Sequence, residues 1–147
     1  MIERAVGDYD WAGVLDLIRR AFAGMEGRID PPSSLHRLTV EGLAQGGEVW
    51  VDAPLRACMV LTVKLGRLYL GKLAVRPDLQ GRGLGRAMVE KAEERARALG
   101  LPVLELETRV ELVENQATFL RLGFQEVGRK AHEGFDRPTS ITFQKRV

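Results

Sequence analysis

The chain has one cysteine, two histidines, no long apolar run and a net charge of only +2, and each shortage removes a class of function. Cys58 stands inside the apolar run ACMVLTV, the setting of a small buried hydrophobe rather than of a nucleophile or ligand. His36 and His132 lie far apart in the chain, so neither zinc nor another metal is expected. Lysine plus arginine number 22 against 20 aspartate plus glutamate, a balance without the clustered basic face that nucleic acid requires. The N-terminal MIERAVGDYD carries acids where a signal peptide needs an apolar stretch, and no later segment approaches the roughly 20 apolar residues of a membrane-crossing helix. Neither nucleic acid nor membrane is expected as a partner, and the cytoplasm is the expected location. Repeats, low-complexity tracts and charge blocks are also missing, so residues 1–147 are expected to form one domain.

What is present reads as secondary structure in alternation. Ile2 to Val6 has strand character, after which Asp8 or Asp10 caps a helix whose apolar stripe is Trp11, Leu15, Ile18 and Phe22. GMEGRIDPPSS, residues 24 to 34, must turn, because Pro31 and Pro32 block helix continuation. Thr39 caps a brief helix stopped by Gly46 and Gly47. Glu48 to Val51, Arg56 to Lys64 and Arg67 to Val75, separated by Ala53-Pro54 and Gly66, suit an antiparallel meander. Beyond Pro77 the period lengthens: Leu84, Met88, Ala92, Ala96 and Leu99 recur at helical spacing until Gly100 and Pro102. Val103 to Thr108 is a strand, Asn115 to Leu122 a short helix, and Phe124 to Lys130 and Ser140 to Lys145 two closing strands, for a predicted order of βααβββαβαββ.

Chemistry concentrates between the fourth strand and the long helix, in Arg76-Pro77-Asp78-Leu79-Gln80-Gly81-Arg82-Gly83-Leu84-Gly85-Arg86. Three alternating glycines let successive backbone N–H groups converge on an anion, and the free donors of the helix N-terminus add partial positive charge. A diphosphate is the natural guest. A P-loop needs a Lys-Ser or Lys-Thr pair where Arg86-Ala87 stands, and a dinucleotide fingerprint needs glycine or alanine at position 86. A plain glycine-rich turn is the remaining alternative for the loop taken alone.

Val75, Pro77, Gln80, Gly83 and Gly85 match the Q-x-x-G-x-G/A signature, with its preceding V-x-P, of the GCN5-related N-acetyltransferase (GNAT) superfamily, which the chain resembles in element order too. The resemblance implies an α/β (α+β) fold: a mixed, mostly antiparallel sheet of about seven strands flanked by about four helices. It implies acetyl-CoA or coenzyme A as co-substrate, with the backbone amides of Gly81, Arg82, Gly83, Leu84, Gly85 and Arg86 around the pyrophosphate. Leu73, Ala74 and Val75 would pair strand-like with the pantetheine arm, and the Leu73 amide would polarise the thioester carbonyl. Arg82 and Arg86 can add charge at the phosphates. A homodimer is common in that superfamily.

Acyl transfer to an amine needs a base for the ammonium proton and gains from an acid at the departing thiolate. Leu104-Glu105-Leu106-Glu107-Thr108 followed by Leu122-Gly123-Phe124 partly resembles the superfamily's second motif. Glu107 falls on the catalytic glutamate of its ribosomal-protein alanine acetyltransferases, the alternative being a solvated strand carboxylate. Phe119 stands where a tyrosine acid is usual and Leu112 where an asparagine is usual. Asn115 either caps the short helix or reaches the pantetheine amide. Tyr69 is a second candidate acid. His132, between the last two strands, titrates near neutrality and lies with Phe135 in a region that often borders the acceptor. In that superfamily the connection between the first two helices forms the other wall of the acceptor pocket, and Glu26, Arg28, Asp30 and His36 are the polar residues there, the alternative being plain loop solubility. The expected activity is direct transfer of an acetyl group to a primary amine of a small molecule or peptide. The lost phenol at position 119 keeps open a non-catalytic acyl-CoA-binding regulatory module.

Overall fold

Seven segments alternate side chains between two faces and pair into one sheet in the computed structural model, which describes residues 1–147. The strands are β1 (Ile2–Ala5), β2 (Glu48–Asp52), β3 (Ala57–Lys64), β4 (Arg67–Val75), β5 (Val103–Arg109), β6 (Gln125–Lys130) and β7 (Ser140–Arg146), in the spatial order β1-β2-β3-β4-β5-β7-β6. Every neighbouring pair is antiparallel except β4 with β5. With helices α1 (Trp11–Phe22), α2 (Val40–Gln45), α3 (Leu84–Ala98) and α4 (Val113–Arg121), this is the expected mixed α/β (α+β) sheet with its elements in the expected order.

Burial decides which face each helix takes. α1 is capped by Asp10, whose carboxylate accepts the Gly13 N–H at 3.0 Å. Such a cap contributes about 1 kcal/mol. Val14, Leu17 and Ile18 are each buried, at about 1.5–3 kcal/mol apiece, so packing holds this helix more than its cap does. They join Leu43 of α2 and Val49, Val51, Cys58 and Ala74 of the sheet in one core. Burial pushes the Cys58 thiol up to about 12, as suits an inert packing residue. On the other face Met88, Val89, Ala92 and Ala96 of α3 pack on Met59, Leu61, Leu68, Leu70, Leu104, Leu106, Ile141 and Phe143.

Two irregularities shape the centre of the sheet. Between Cys58↔Ala74 and Val60↔Gly71 the register slips, and Lys72 takes φ 53°, a left-handed backbone conformation rare outside glycine. The bulge inverts the alternation along β4. Leu68 and Leu70 face α3, and after the bulge Leu73 and Val75 do so, while Ala74 joins the α1 core. Strict period-two reading would put Ala74 beside Leu70. The second irregularity is the parallel ladder between β4 and β5, which consists of Leu68↔Leu104 and Tyr69↔Glu105 only. Both strands run on, to Val75 and Arg109, without pairing further, so the sheet opens into a wedge.

Candidate functional site

The wedge holds the principal cavity, of about 890 Å³. β4 contributes Tyr69 through Val75 to its wall, β5 contributes Leu106 through Arg109, and Gln80, Gly81, Leu84 and Gly85 close the end next to α3. Leu73, Ala74, Val75, Asn115, Phe119, Tyr69, Glu107 and His132 therefore line one space. Arg82, Gly83 and Arg86 stand on the exposed outer side of the loop and do not line it.

The loop's conformation depends on its glycines and leaves its amides free. Gly81 and Gly83 have φ 79° and 84°, where a side chain is strained, and a Cβ at either position would meet nothing within 4 Å. Gly85 differs: its φ is not positive, and an added Cβ would meet only Val75 Cγ2 at 3.9 Å. Gly83 caps α3 without a side-chain hydrogen bond, and the N–H groups of Gly81 through Arg86 donate to no acceptor in the chain. Six consecutive amides are left for solvent or a ligand at the N-terminus of a 15-residue helix. The approach is braced by Gln80 Nε2, which donates to the Val75 carbonyl at 3.3 Å, and by Arg76 on Asp78 at 2.7 and 3.0 Å. The chain's own groups fit a diphosphate held by its oxygens.

At the other end of the wedge polar side chains gather. Lys130 Nζ lies 2.5 Å from Glu107 Oε1, an ion pair whose lysine end is exposed. Burial first, then the charges of Glu107 and Glu105, push the Tyr69 phenol above its ordinary range, so it keeps its proton. Glu105, next along β5, is committed to structure. It accepts Arg67 Nε at 2.9 Å and Gln144 Nε2 at 2.7 Å. Burial raises its pKa, but those two donors outweigh burial and hold it below the usual carboxylate value. His132 is held by the wholly buried Thr139, whose Oγ1 accepts the His132 N–H at 2.8 Å and lies against Nδ1. Desolvation, then the Arg109 charge, lowers the His132 pKa and favours neutral imidazole.

Of the remaining expected residues, Asn115 and Phe119 line the same cavity from α4, and Glu26, Asp30, His36 and Phe135 lie outside it. α4 begins at Val113 with Leu112 in the capping position and no side-chain cap, so Asn115 sits in the first turn rather than capping it. Phe119 packs edge-on against Phe124 at 6.0 Å and tilted against Phe143 at 6.1 Å, an aromatic wall with no proton to give. Glu26 and His36 line a neighbouring cavity of about 630 Å³, which shares Phe22, Met25, Ser33 and Leu35 with the first. Asp30 and Phe135 line neither; Arg137 joins them, pairing with Asp30 at 3.1 Å and lying 5.1 Å from the Phe135 ring centre.

Sequence reading passed over the ties that bring the 28–32 segment across to the far side of the wedge. Arg28 grips Glu114 at 2.6 and 3.0 Å, Arg109 Nη1 donates to the Pro31 carbonyl at 2.6 Å, and the Asp30 N–H donates to Glu111 at 3.1 Å. Lys130 and Thr139 were missed for the same reason. Each partner is distant in sequence or set by strand register, and no local pattern announces it.

Comparisons with known proteins bear on the family and the fold. The model of the acetyltransferase (GNAT) family matches residues 18–124. Mycothiol acetyltransferase of Beutenbergia cavernae is 34 % identical, over 66 % of this chain and 37 % of the relative. The chain thus spans little more than a third of that protein's length. Among solved structures, the ribosomal-protein-S18-alanine N-acetyltransferase of Escherichia coli superposes with a TM-score of 0.73 at 22 % identity, covering 99 % of this chain and 94 % of that one. A Bacillus subtilis acetyltransferase in complex with CoA superposes with a TM-score of 0.68 at 18 % identity, covering 99 % and 97 %. Both share the fold.

Proposed function

Because the chain belongs to the acetyltransferase (GNAT) family, we propose that it transfers an acetyl group from acetyl-CoA directly to a primary amine of a small molecule or peptide, both substrates being bound together. The observation that carries this reading is the run of six unaccepted amides from Gly81 to Arg86 at the mouth of a wedge-shaped cavity.

Acetyl-CoA supplies an acyl group already activated as a thioester. The amides of Gly81 through Arg86 hold its pyrophosphate, with Arg82 and Arg86 adding charge from the exposed side. The free edge of β4 at Leu73, Ala74 and Val75 pairs with the pantetheine arm, and Asn115 and Phe119 bound the same channel. The bulge at Lys72 re-aims the Leu73 N–H toward the thioester carbonyl, where a fixed donor stabilises developing negative charge by about 3 kcal/mol. On the acceptor side Glu107 and His132 are the groups able to take an ammonium proton, and Tyr69 keeps a proton to donate. Glu26 and His36 face the amine's carrier molecule, and Asp30 and Phe135 shape the rim.

The test is consumption of acetyl-CoA across a panel of small amines and peptide N-termini, with coenzyme A binding measured by calorimetry. Gly83→Glu puts a strained side chain and a negative charge into the anion site, and loss of both binding and turnover is expected. Phe119, which lacks the proton of a tyrosine, favours a second reading, a coenzyme A-binding module without catalysis; tight binding with no turnover on any acceptor would establish it. Absence of coenzyme A binding would sink both.

A further inference from the structure

The Thr139 hydroxyl stands at the centre of a small closed arrangement. It is fully buried, accepts the His132 backbone N–H at 2.8 Å, contacts His132 Nδ1, and lies 3.3 Å from the Lys130 carbonyl oxygen. A hydroxyl has one proton and two lone pairs. The Lys130 carbonyl oxygen, which accepts the Thr139 backbone N–H at 2.9 Å, has a second lone pair for the Thr139 hydroxyl proton, and the backbone N–H of His132 takes one lone pair of the hydroxyl. With the hydroxyl proton on that carbonyl, the other lone pair faces Nδ1, which then carries its own hydrogen. His132 Nε2, by contrast, has no hydrogen-bond partner in the chain, and the residue lines the principal cavity.

We propose that Thr139 is a positioning residue that locks neutral His132 in the Nδ1–H tautomer and leaves the Nε2 lone pair as the base of the reaction. This rests on the acetyl-transfer reading above. Nε2 takes one proton from the acceptor ammonium, and the freed nitrogen lone pair forms the bond to the acyl carbon. The carbon–sulfur bond breaks with its electron pair on sulfur, which receives the Tyr69 proton, and the imidazolium then returns its proton to the phenolate. The nitrogen loses its second proton to solvent, so the products are an amide, a thiol and one proton. Glu107 is the less available base, because Oε1 is already engaged by Lys130.

The charged groups facing His132 are Arg109 and Glu107 from β5, Glu111 from the connection to α4, and Lys130 from β6. Desolvation and the cations Arg109 and Lys130 favour neutral imidazole, while Glu107 and Glu111 oppose them. Activity therefore rises with pH through an inflection below the ordinary histidine value and is level above it.

Long-range nitrogen–proton NMR correlation on the selectively labelled wild-type protein reads the tautomer directly. Above the inflection, Nδ1 is expected to carry the proton and Nε2 to be bare; a protonated Nε2 overturns the proposal. In kinetics, Thr139→Val is expected to lower the plateau kcat/KM by at least tenfold, in keeping with what a positioned base contributes. It should also move the inflection to lower pH, since the imidazolium loses an acceptor. Thr139→Ser, which keeps the hydroxyl, should restore both. A uniform loss with no shift in the inflection, or no rescue by serine, would mark Thr139 as merely structural and overturn the proposal. A chain that binds coenzyme A but acetylates nothing would defeat the acetyl-transfer reading, and the NMR result would still decide the tautomer.

Discussion

The two sides of the wedge are built differently. From β1 to β4 the sheet is covered on both faces, by α1 and α2 on one and α3 on the other, and residues such as Val14, Ile18, Val51 and Met59 are wholly inaccessible. From β5 to β7 only the α3 face contributes to the main core, through Leu104, Leu106, Ile141 and Phe143. All six residues of β6 are exposed and α4 buries none of its own. The β1–β4 side is held by apolar packing and the β5–β7 side largely by polar ties. The glycine loop thus rises from a stiff scaffold, whereas the opposite wall of the wedge has little apolar packing to disturb.

The largest expected effect tests that contrast. Met88→Ala empties volume where α3 meets both halves of the sheet and should cost about 2–5 kcal/mol in denaturant unfolding. Leu120→Ala, on the exposed face of α4, should stay within about 0.5 kcal/mol of wild type. Comparable losses at the two positions would erase the distinction.

An intermediate effect belongs to Glu105, where a polar tie does the work of packing. Gln144 and Arg67 stabilise its charged form against burial, so its folded pKa lies below its unfolded one. Its contribution is therefore complete above the ordinary carboxylate value and is lost as pH falls through the lower, folded one. Arg67→Met should cost about 1–3 kcal/mol near neutrality, a buried-pair value reduced because Arg67 is one-third exposed. The difference from wild type should shrink on acidification, followed as Tm against pH. A gap that stayed constant to low pH would show that the arginine acts through packing alone.

The same contrast explains what could be read in advance. Strand and helix order followed from periodicity and glycine or proline stops, because apolar alternation is a local property. The start of α4 was placed at Asn115 instead of Val113, since Leu112 offers no capping side chain as a signal. The phase reversal at Lys72 was invisible, as Leu70-Gly71-Lys72-Leu73-Ala74 does not announce which residue leaves the ladder. In the site, the glycine loop was legible because its chemistry resides in backbone conformation, which glycine spacing records. The arrangement around His132 and Glu107 was not, because Thr139 and Lys130 are brought there by the pairing of β6 with β7, and Arg28 meets Glu114 across 86 positions of chain.

The smallest effect on stability, and an informative one for function, lies at that last pair. Arg28 and Glu114 both line the cavity, and their two hydrogen bonds tie the connection after α1 to the first turn of α4. The Arg28 guanidinium holds the Glu114 carboxyl down at about 2, so the pair stays ionised through any working pH. Both side chains are about half exposed, and such pairs contribute little to folding. Arg28→Ala should leave Tm unchanged within error while raising the acceptor KM several-fold, with coenzyme A affinity intact, because only the acceptor-side wall loses its anchor. A matched loss of coenzyme A affinity would mean that the tie braces the whole wedge, and the two sides would then have to be regarded as one mechanical unit.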